Sequence, residues 1–358
     1  MKVDLSTHIT PLTMALSKMG VQQTVIARNS EIDCLDDIDV YNIKPERPFS
    51  LIRSGLTVYK KIEEIKKDFD LIHLHNPAFS SILLKRKILP PIVMTLHDSP
   101  GDIRNNISFG TCRGVKEGLY YYYLAKYAAK RANAVVCVSS GVSDFLIGSW
   151  GVQSERVFTI TTAVDVKVFY PHRVERDIDL LFVGRFVDKK RPFDFLKTAS
   201  VLKSAYPNLK VCMVGGCSRD GLYDGVVRWI ELNGLSRNVD VIAPVTQYEL
   251  SLLYSRSKAL LLPSVTESSP KASLEAMACG VAVVITDITG NGDVLEDGVT
   301  GFFVPPKNPG VMASKIRMLL DDESLRKKIG KYAAKRIVKG YTWDIVSRKY
   351  VRLYRSLI

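Results

Sequence analysis

Short apolar runs recur along the chain, each followed by a stretch long enough for a helix. In the first half Val21–Ala27, Asp70–His75, Pro91–His97 and Ala134–Ser139 read as strands; in the second, Leu180–Gly184, Leu209–Val214, Val239–Ile242, Ala259–Leu262 and Val281–Thr286 do. His8–Lys18, stopped by Gly20, and Gly118–Ala132 read as helices. The closing stretch Thr342–Ile358 places Trp343, Val346, Tyr350, Leu353 and Leu357 at helical spacing, the pattern of one amphipathic helix. Strands alternating with helix-length segments predict repeated β-α-β units and parallel sheets. The alternation breaks between Phe169 and Ile178 into a polar, proline-bearing stretch that reads as a hinge. The expected organisation is therefore an N-terminal domain over 1–170 and a C-terminal domain over 171–340, with a helix over 341–358 packing back toward the first. Both domains are read as α/β, Rossmann-like and doubly wound, facing a central cleft with ligands at the carboxyl ends of the strands.

Composition agrees with this picture. A length of 358 residues suits about two domains at roughly 150 residues each. Hydrophobic and charged shares of 46% and 24% exclude a disordered or coiled-coil chain. No run approaches the roughly 18 apolar residues of a spanning helix, and Met1–Ser6 has no apolar core, so no secretory signal is expected. The cysteines are scattered without a Cys-x-x-Cys; Cys137, Cys212 and Cys279 lie among apolar residues, as buried thiols in a reducing cytoplasm do. The formal charge of +13 calls for an anionic partner, leaving nucleic acid, an acidic membrane surface and a phosphorylated ligand open.

Two segments concentrate the chemistry. In Leu181-Phe-Val-Gly184-Arg185-Phe-Val-Asp-Lys189-Lys190-Arg191 a buried strand ends at a glycine and presents four cations. Gly184 allows close backbone approach, Arg185 can fork two phosphate oxygens and Lys190 supplies a point charge. In Glu267-Ser268-Ser269-Pro270-Lys271-Ala-Ser-Leu-Glu275 a helix is expected to open at a strand end, with Ser268 or Ser269 as cap, Pro270 at the first helical position and Gly280 as its stop. Backbone N–H groups at such a terminus suit phosphate or sugar oxygens. Read separately, each has a plain alternative: a solvated basic turn, and ordinary acids near a helix start. His73 and His75 share a strand face, but no carboxylate or cysteine stands at ligand spacing, so no metal site is expected.

Taken in order, Gly184-Arg185-x4-Lys190 followed by Pro263-Ser264-x2-Glu267-x7-Glu275-Ala-Met-Ala-x-Gly280 resembles the retaining GT-B glycosyltransferases of the glycogen-synthase-like group, family 4. Val214-Gly215-Gly216, Asp293-Val-Leu-Glu-Asp-Gly298-Val-Thr-Gly301, Asp70-Leu-Ile-His73-Leu-His75, Thr95-Leu-His97-Asp98 and Ala134–Ser139 fit the same family pattern. The resemblance implies a hexosyltransferase that takes a nucleotide-diphosphate sugar and a saccharide or lipid-linked acceptor. It implies that Arg185 and Lys190 neutralise the diphosphate and Glu275 receives the ribose hydroxyls. Glu267 and the backbone of Ser268, Ser269, Pro270 and Lys271 would hold the sugar, with His97 near the reacting carbon. No cofactor and no catalytic metal are implied. The chain departs from the family at Thr162-Ala163 for Asn-Gly, Arg191 for glycine, Glu267-Ser-Ser-Pro270 for Glu-Gly-Phe-Gly, and Asp293 for glutamate. Met1–Leu12 aligns with the family's first helix, so the first strand and its glycine turn are read as missing.

Two other readings remain at this stage: a catalytically weak GT-B-like binding or partner subunit, and a nucleotide-sugar epimerase on the same fold. Nucleic acid is not expected, because no nucleic-acid-binding motif accompanies the charge. A location in the cytoplasm, peripheral at an anionic membrane face, is the expectation. Lys126–Arg131 and the cations Arg326, Lys327, Lys328, Lys331, Lys335, Arg336 and Lys339 are the charge available for that face.

Overall fold

The computed structural model describes residues 9–28, 34–35, 38–43, 50–75, 90–97, 112–216 and 222–358. The chain divides into two compact units, Met1–Thr162 with Trp343–Ile358, and Ala163–Thr342.

The second unit is built on a parallel sheet in the spatial order β10-β9-β8-β11-β12-β13. Its strands are β8 (Ile178–Val183), β9 (Val211–Val214), β10 (Val239–Ile242), β11 (Ser257–Leu262), β12 (Ala282–Thr286) and β13 (Phe302–Val304). The order reverses between β8 and β11, the switch point at which doubly wound sheets bind ligands. Alternate residues of the buried strands feed two cores. Leu180, Phe182, Ala259 and Leu261 pack with α5 (Pro192–Lys203), α6 (Leu222–Leu232) and α9 (Pro309–Asp321). Leu181, Leu260 and Leu262 pack with α7 (Gln247–Arg256), α8 (Lys271–Ala278) and α10 (Glu323–Gly340). That two-residue alternation explains why these strands read as continuous apolar runs: both faces are covered.

The unit begins at Ala163, ahead of the polar break at Phe169–Ile178. Val164 N–H donates to the Tyr341 carbonyl at 2.8 Å, and Val164 and Phe169 are buried in the second core. Burial of those two side chains draws the boundary back to residue 162.

The first unit holds a four-stranded parallel sheet in the order β4-β5-β6-β7, namely Ile72–Leu74, Ile92–Leu96, Ala134–Cys137 and Val157–Thr159. Met94, Leu96, Val135 and Cys137 pack against Ala125, Ala128 and Ala129 of α3 (Cys112–Arg131) and against Trp150. A second sheet joins β1 (Thr24–Arg28), β3 (Ile38–Ile43) and the short β2 (Cys34–Leu35). Sequence periodicity missed β2, β3, β7 and β13, which are short or carry polar residues at alternate positions. The closing helix, α11 (Trp343–Arg355), packs on α1 (Ile9–Ser17) within this unit, burying Val346, Tyr350 and Leu353. The reading of a missing first strand bears on residues 1–8, which lie outside the described residues, as does most of the Asp98–Gly114 loop.

Cys137, Cys212 and Cys279 are buried free thiols. Burial pushes Cys137 up to about 11 and the other two up to about 12, so they are inert as nucleophiles.

Candidate active site

Two loops meet over the switch point of the second unit. The first leaves β8 at Gly184, whose N–H donates to the Val214 carbonyl at 3.0 Å. A side chain at Gly215 would put its Cβ 2.2 Å from the Gly184 carbonyl, so this crossing of two strand ends requires glycine. The loop continues through Arg185, whose exposed side chain makes no hydrogen bond or ion pair among the described residues and whose carbonyl accepts from Val187 N–H at 3.0 Å, into a short turn at Asp188–Lys190. The second loop leaves β11 and carries Ser264, Glu267 and the start of α8. Val265 N–H donates to the Lys189 carbonyl at 2.9 Å, which ties one loop to the other.

The side chains complete the link. Lys190 Nζ donates to Glu267 Oε1, and Ser264 Oγ donates to the same oxygen at 2.7 Å. Glu267 is buried, so its charge is held by a cation and a hydroxyl rather than by water. Arg191, the fourth cation of the cluster, turns away: its guanidinium forks Asp194 at 2.8 and 3.2 Å. Asp194 holds the Arg191 pKa above its ordinary value, and this pair closes the start of α5. The site therefore retains Arg185, Lys189 and Lys190.

The head of α8 differs from the expected cap. The helix starts at Lys271 with Pro270 at the N-cap, and neither Ser268 nor Ser269 caps it. Ser273 instead returns its hydroxyl to the Pro270 carbonyl at 2.7 Å. Pro270 sits at φ −78° and ψ 84°, outside the helical region, so the helix opens one residue later than a Ser269 cap predicts. Glu275 lies one turn into the helix and is buried. Tyr254 of α7 donates to its Oε2 at 3.1 Å, and Lys271 stands 3.5 Å from Oε1. Desolvation raises the Glu275 pKa, against the pull of Lys271 and Tyr254. A buried, partly satisfied carboxylate beside a pair of loops is built to receive further hydrogen-bond donors.

A third loop, after β12, braces the second. An added Cβ at Gly290 would fall 1.7 Å from the Glu267 carbonyl oxygen, so only glycine fits there. Thr286 Oγ1 donates to the Ser264 carbonyl at 2.5 Å, and Asn291 Nδ2 donates to the Thr286 carbonyl at 2.8 Å. Tyr254, Gly290, Thr286 and Asn291 were missed by the sequence reading. Gly290 alone left a signal, a glycine shortly after an apolar strand.

His97 belongs to the first unit, at the carboxyl end of β5. Its Nε2 lies 3.0 Å from Nδ1 of His75, and the two rings stack at 5.3 Å. His73 and His75 share a face as expected, their ring centroids 3.9 Å apart. His73 bonds Tyr354 through Nδ1 at 2.6 Å and Thr95 through Nε2 at 2.7 Å. Burial pushes His73 down to about 3, with the charge on His97 adding to it, and burial takes His97 to about 4. Among the described residues no three His, Cys, Asp or Glu side chains converge to hold a metal ion.

The cations of α10 divide. Arg326 is buried and donates to the Leu319 carbonyl at 2.7 Å, while Arg336 donates to the carbonyls of Asp293 and Val294 at 3.0 Å each. Only the lysines of that set, Lys327, Lys328, Lys331, Lys335 and Lys339, face solvent. No helix among the described residues is long and apolar enough to cross a membrane.

A doubly wound unit with a basic loop and a buried glutamate at its switch point has the architecture of the C-terminal half of the GT-B fold. The whole chain has that fold: it superimposes on sucrose-phosphate synthase from Thermosynechococcus elongatus with a TM-score of 0.78 at 20% identity, covering 97% of this chain and 91% of that one. Anabaena HepE, solved in complex with UDP-glucose, gives 0.74 at 16% identity over 89% and 86% of the chains. The protein belongs to glycosyltransferase family 4: residues 5–168 match the Glycosyltransferase Family 4 model and residues 168–336 the Glycosyl transferases group 1 model. Among curated relatives, the D-inositol 3-phosphate glycosyltransferase of Paenarthrobacter aurescens is 25% identical over 387 aligned positions, 99% of this chain and 93% of that protein. The chain is a glycosyltransferase.

Proposed function

We propose that this glycosyltransferase moves a hexose from a nucleoside-diphosphate sugar to a saccharide or lipid-linked acceptor, with retention of configuration and without a catalytic metal. The observation that carries the reading is the joining of the Gly184–Lys190 loop to the Ser264–Lys271 loop through Lys190 and Glu267, beside the buried carboxylate of Glu275. A ligand with a diphosphate at one end and hydroxyls at the other matches that sequence of groups.

In this reading Arg185 and Lys190 meet the diphosphate, and Glu275 accepts hydrogen bonds from the ribose hydroxyls. Glu267 and the backbone of Ser268, Ser269, Pro270 and Lys271 hold the sugar, with Gly184 allowing the phosphates close to the chain. His97, carried on the other unit, is assigned to the sugar. The bond from the anomeric carbon to the phosphate oxygen breaks and the diphosphate leaves with the electron pair. The acceptor oxygen forms its bond on the same face, and its proton passes to the departing phosphate oxygen. Cations fixed where charge develops lower that barrier without reorganising. The donor bound by HepE supports a nucleotide-sugar, and the inositol phosphate acted on by the Paenarthrobacter relative supports a polyol or saccharide acceptor. The exposed lysines of α10 are the charge with which a lipid-linked acceptor's anionic membrane would be met.

The test is a panel of UDP-glucose, UDP-galactose, UDP-N-acetylglucosamine, GDP-mannose and ADP-glucose, scored by thermal protection and by donor hydrolysis. At least one should protect wild-type protein, and Glu275→Ala should abolish that protection. Protection by none, or equal protection of the variant, overturns the donor-site assignment.

A further inference from the structure

We propose that the second unit binds an anionic phospholipid of a bilayer in a groove beside α10. The lipid phosphate sits on Lys335 and Lys339, and the apolar chain lies against Val166, Phe169, Tyr170 and Val338. The inference rests on the proposed function for the presence of a membrane and goes beyond it in naming the site.

The charge comes from one ridge of a helix. Glu323, at the start of α10, is the only acid in that helix, and Lys327 pairs with it at 2.7 Å. Lys328, Lys331, Lys335 and Lys339 follow at spacings of three, four and four, so they share one face. All four are exposed, and their ammonium groups have no ion pair among the described residues. Like charges one turn apart repel and weaken a helix, so the ridge works against the fold and fits a surface of phosphates.

An apolar groove runs beside the ridge. Its volume is about 520 Å³, inside the roughly 300–1,000 Å³ of small-ligand clefts. Residues 166–171, the end of α8 and the second half of α10 form its walls. Apart from Lys335 and Lys339 its lining is aliphatic or aromatic, with no acidic side chain. Val338 and Tyr170 are 59% and 43% exposed there, apolar surface that the folded unit leaves in water. The walls are set without a ligand. The Tyr170 ring packs on His172 with centroids 4.2 Å apart, and His172 Nε2 lies 3.0 Å from Ser251 Oγ. An added Cβ at Gly330 would fall 2.2 Å from the Gly280 carbonyl oxygen, so α10 crosses the chain just past α8 at backbone contact, one turn before Ala334.

Ridge and groove together select the occupant. A free phosphate or a sugar phosphate matches the lysines and leaves the apolar walls wet, whereas an amphiphile with an anionic head covers both. Ala278, in the groove, and Lys271, at the candidate site, are the last and first residues of α8, about 10 Å apart along its axis. The lipid therefore anchors the protein and is not the reacting acceptor.

The test is co-sedimentation of the full chain with vesicles of phosphatidylcholine alone and with phosphatidylglycerol added, at physiological ionic strength. Wild-type protein should pellet with the anionic vesicles and stay in solution with the neutral ones. Lys335→Gln/Lys339→Gln should weaken partitioning about 20- to 30-fold, from about fivefold per charge at the surface. Val338→Gln changes no charge and should weaken it about five- to tenfold, by removing apolar surface from the groove. The control is Lys197→Gln/Lys307→Gln, on α5 and ahead of α9, whose helices cover the other face of the sheet from α10. It removes the same charge and should stay within about twofold of wild type, because distant charges are screened. Equal pelleting with both vesicle types, or pelleting with neither, overturns the proposal. So does wild-type partitioning of Val338→Gln, which means a purely electrostatic contact, or equal loss in the two double variants, which makes net charge the cause. Thermal protection by a sugar nucleotide should be that of wild type in all these variants; its loss with Lys335→Gln/Lys339→Gln moves those lysines to the donor site and overturns the proposal. Protection of wild type by no donor fails the donor-site reading alone, since vesicle binding is measured without nucleotide.

Discussion

The two units handle charge in opposite ways. In the second, buried carboxylates stand in polar pairings: Glu267 with Lys190 and Ser264, and Glu275 with Lys271 and Tyr254, which pull against the desolvation that raises its pKa. In the first, the histidines lose theirs, because enclosure makes the imidazolium form costly and hydroxyls satisfy the neutral rings. On the proposed function, a diphosphate leaving group would need cations that can exchange one partner for another, which ion pairs provide, and an uncharged sugar would need direction rather than charge, which neutral hydrogen bonds provide.

The comparison breaks most readily at Gly290, where nothing electrostatic is involved. Its Cβ would overlap the Glu267 carbonyl oxygen at 1.7 Å, so Gly290→Ala must push the Glu267–Ser268 peptide aside. A displacement of about 1 Å at a positioning group can cost about 100-fold in rate, and overpacking costs about 1–3 kcal/mol in stability. Both should appear in kcat/KM and in thermal unfolding. Gly292→Ala is the control, since nothing lies within 4 Å of its Cβ. Equal activity of the two variants would show that the third loop does not set the position of Glu267.

Glu275 sharpens the account of paired charge. Burial raises its pKa, so the folded state favours the protonated form and wild-type stability falls as pH rises from about 4.5 through the raised value. Glu275→Gln removes that cost. Its melting temperature should match wild type near pH 4 and exceed it at pH 7.5, while nucleotide affinity falls about 10- to 100-fold with the loss of charged hydrogen bonds, about 1.5–3 kcal/mol. A variant less stable at pH 7.5 would mean that Lys271 and Tyr254 outweigh desolvation.

How much of this was legible follows from distance along the chain. The strands of the second unit were readable because both faces are buried, and Val239–Ile242 has the predicted ends. The Gly184 loop and the Glu267–Glu275 segment were readable because each is a local run of chemistry, and together they carry the family pattern. What pairs them was not: Lys190 and Glu267 are 77 positions apart, and His73 meets Tyr354 across 281. The Arg191–Asp194 pair is local and was missed because four adjacent cations invite one shared assignment. Ser268 and Ser269 are good cap residues by type, yet Pro270, with a non-helical backbone, takes the N-cap place itself.

The smallest expected effect tests the uncharged side of the comparison. His73 and His97 have pKa values far below the 6.5 of an unfolded chain. Between pH 6.5 and about 4 the unfolded chain binds protons at these positions and the folded chain does not, so stability is full above pH 6.5 and falls as pH drops. Each such group contributes a slope of up to about 1.4 kcal/mol per pH unit. His73→Asn removes one of the two while leaving an amide between the hydroxyls of Thr95 and Tyr354. Its unfolding free energy should therefore decline less steeply than wild type from pH 6.5 to 4.5, even where its value at pH 7.5 is lower. Parallel pH profiles would mean that His73 takes up its proton in the folded protein. Tyr354 and Thr95 would then be solvating a cation, and the neutral floor beneath His75 and His97 would be lost with it.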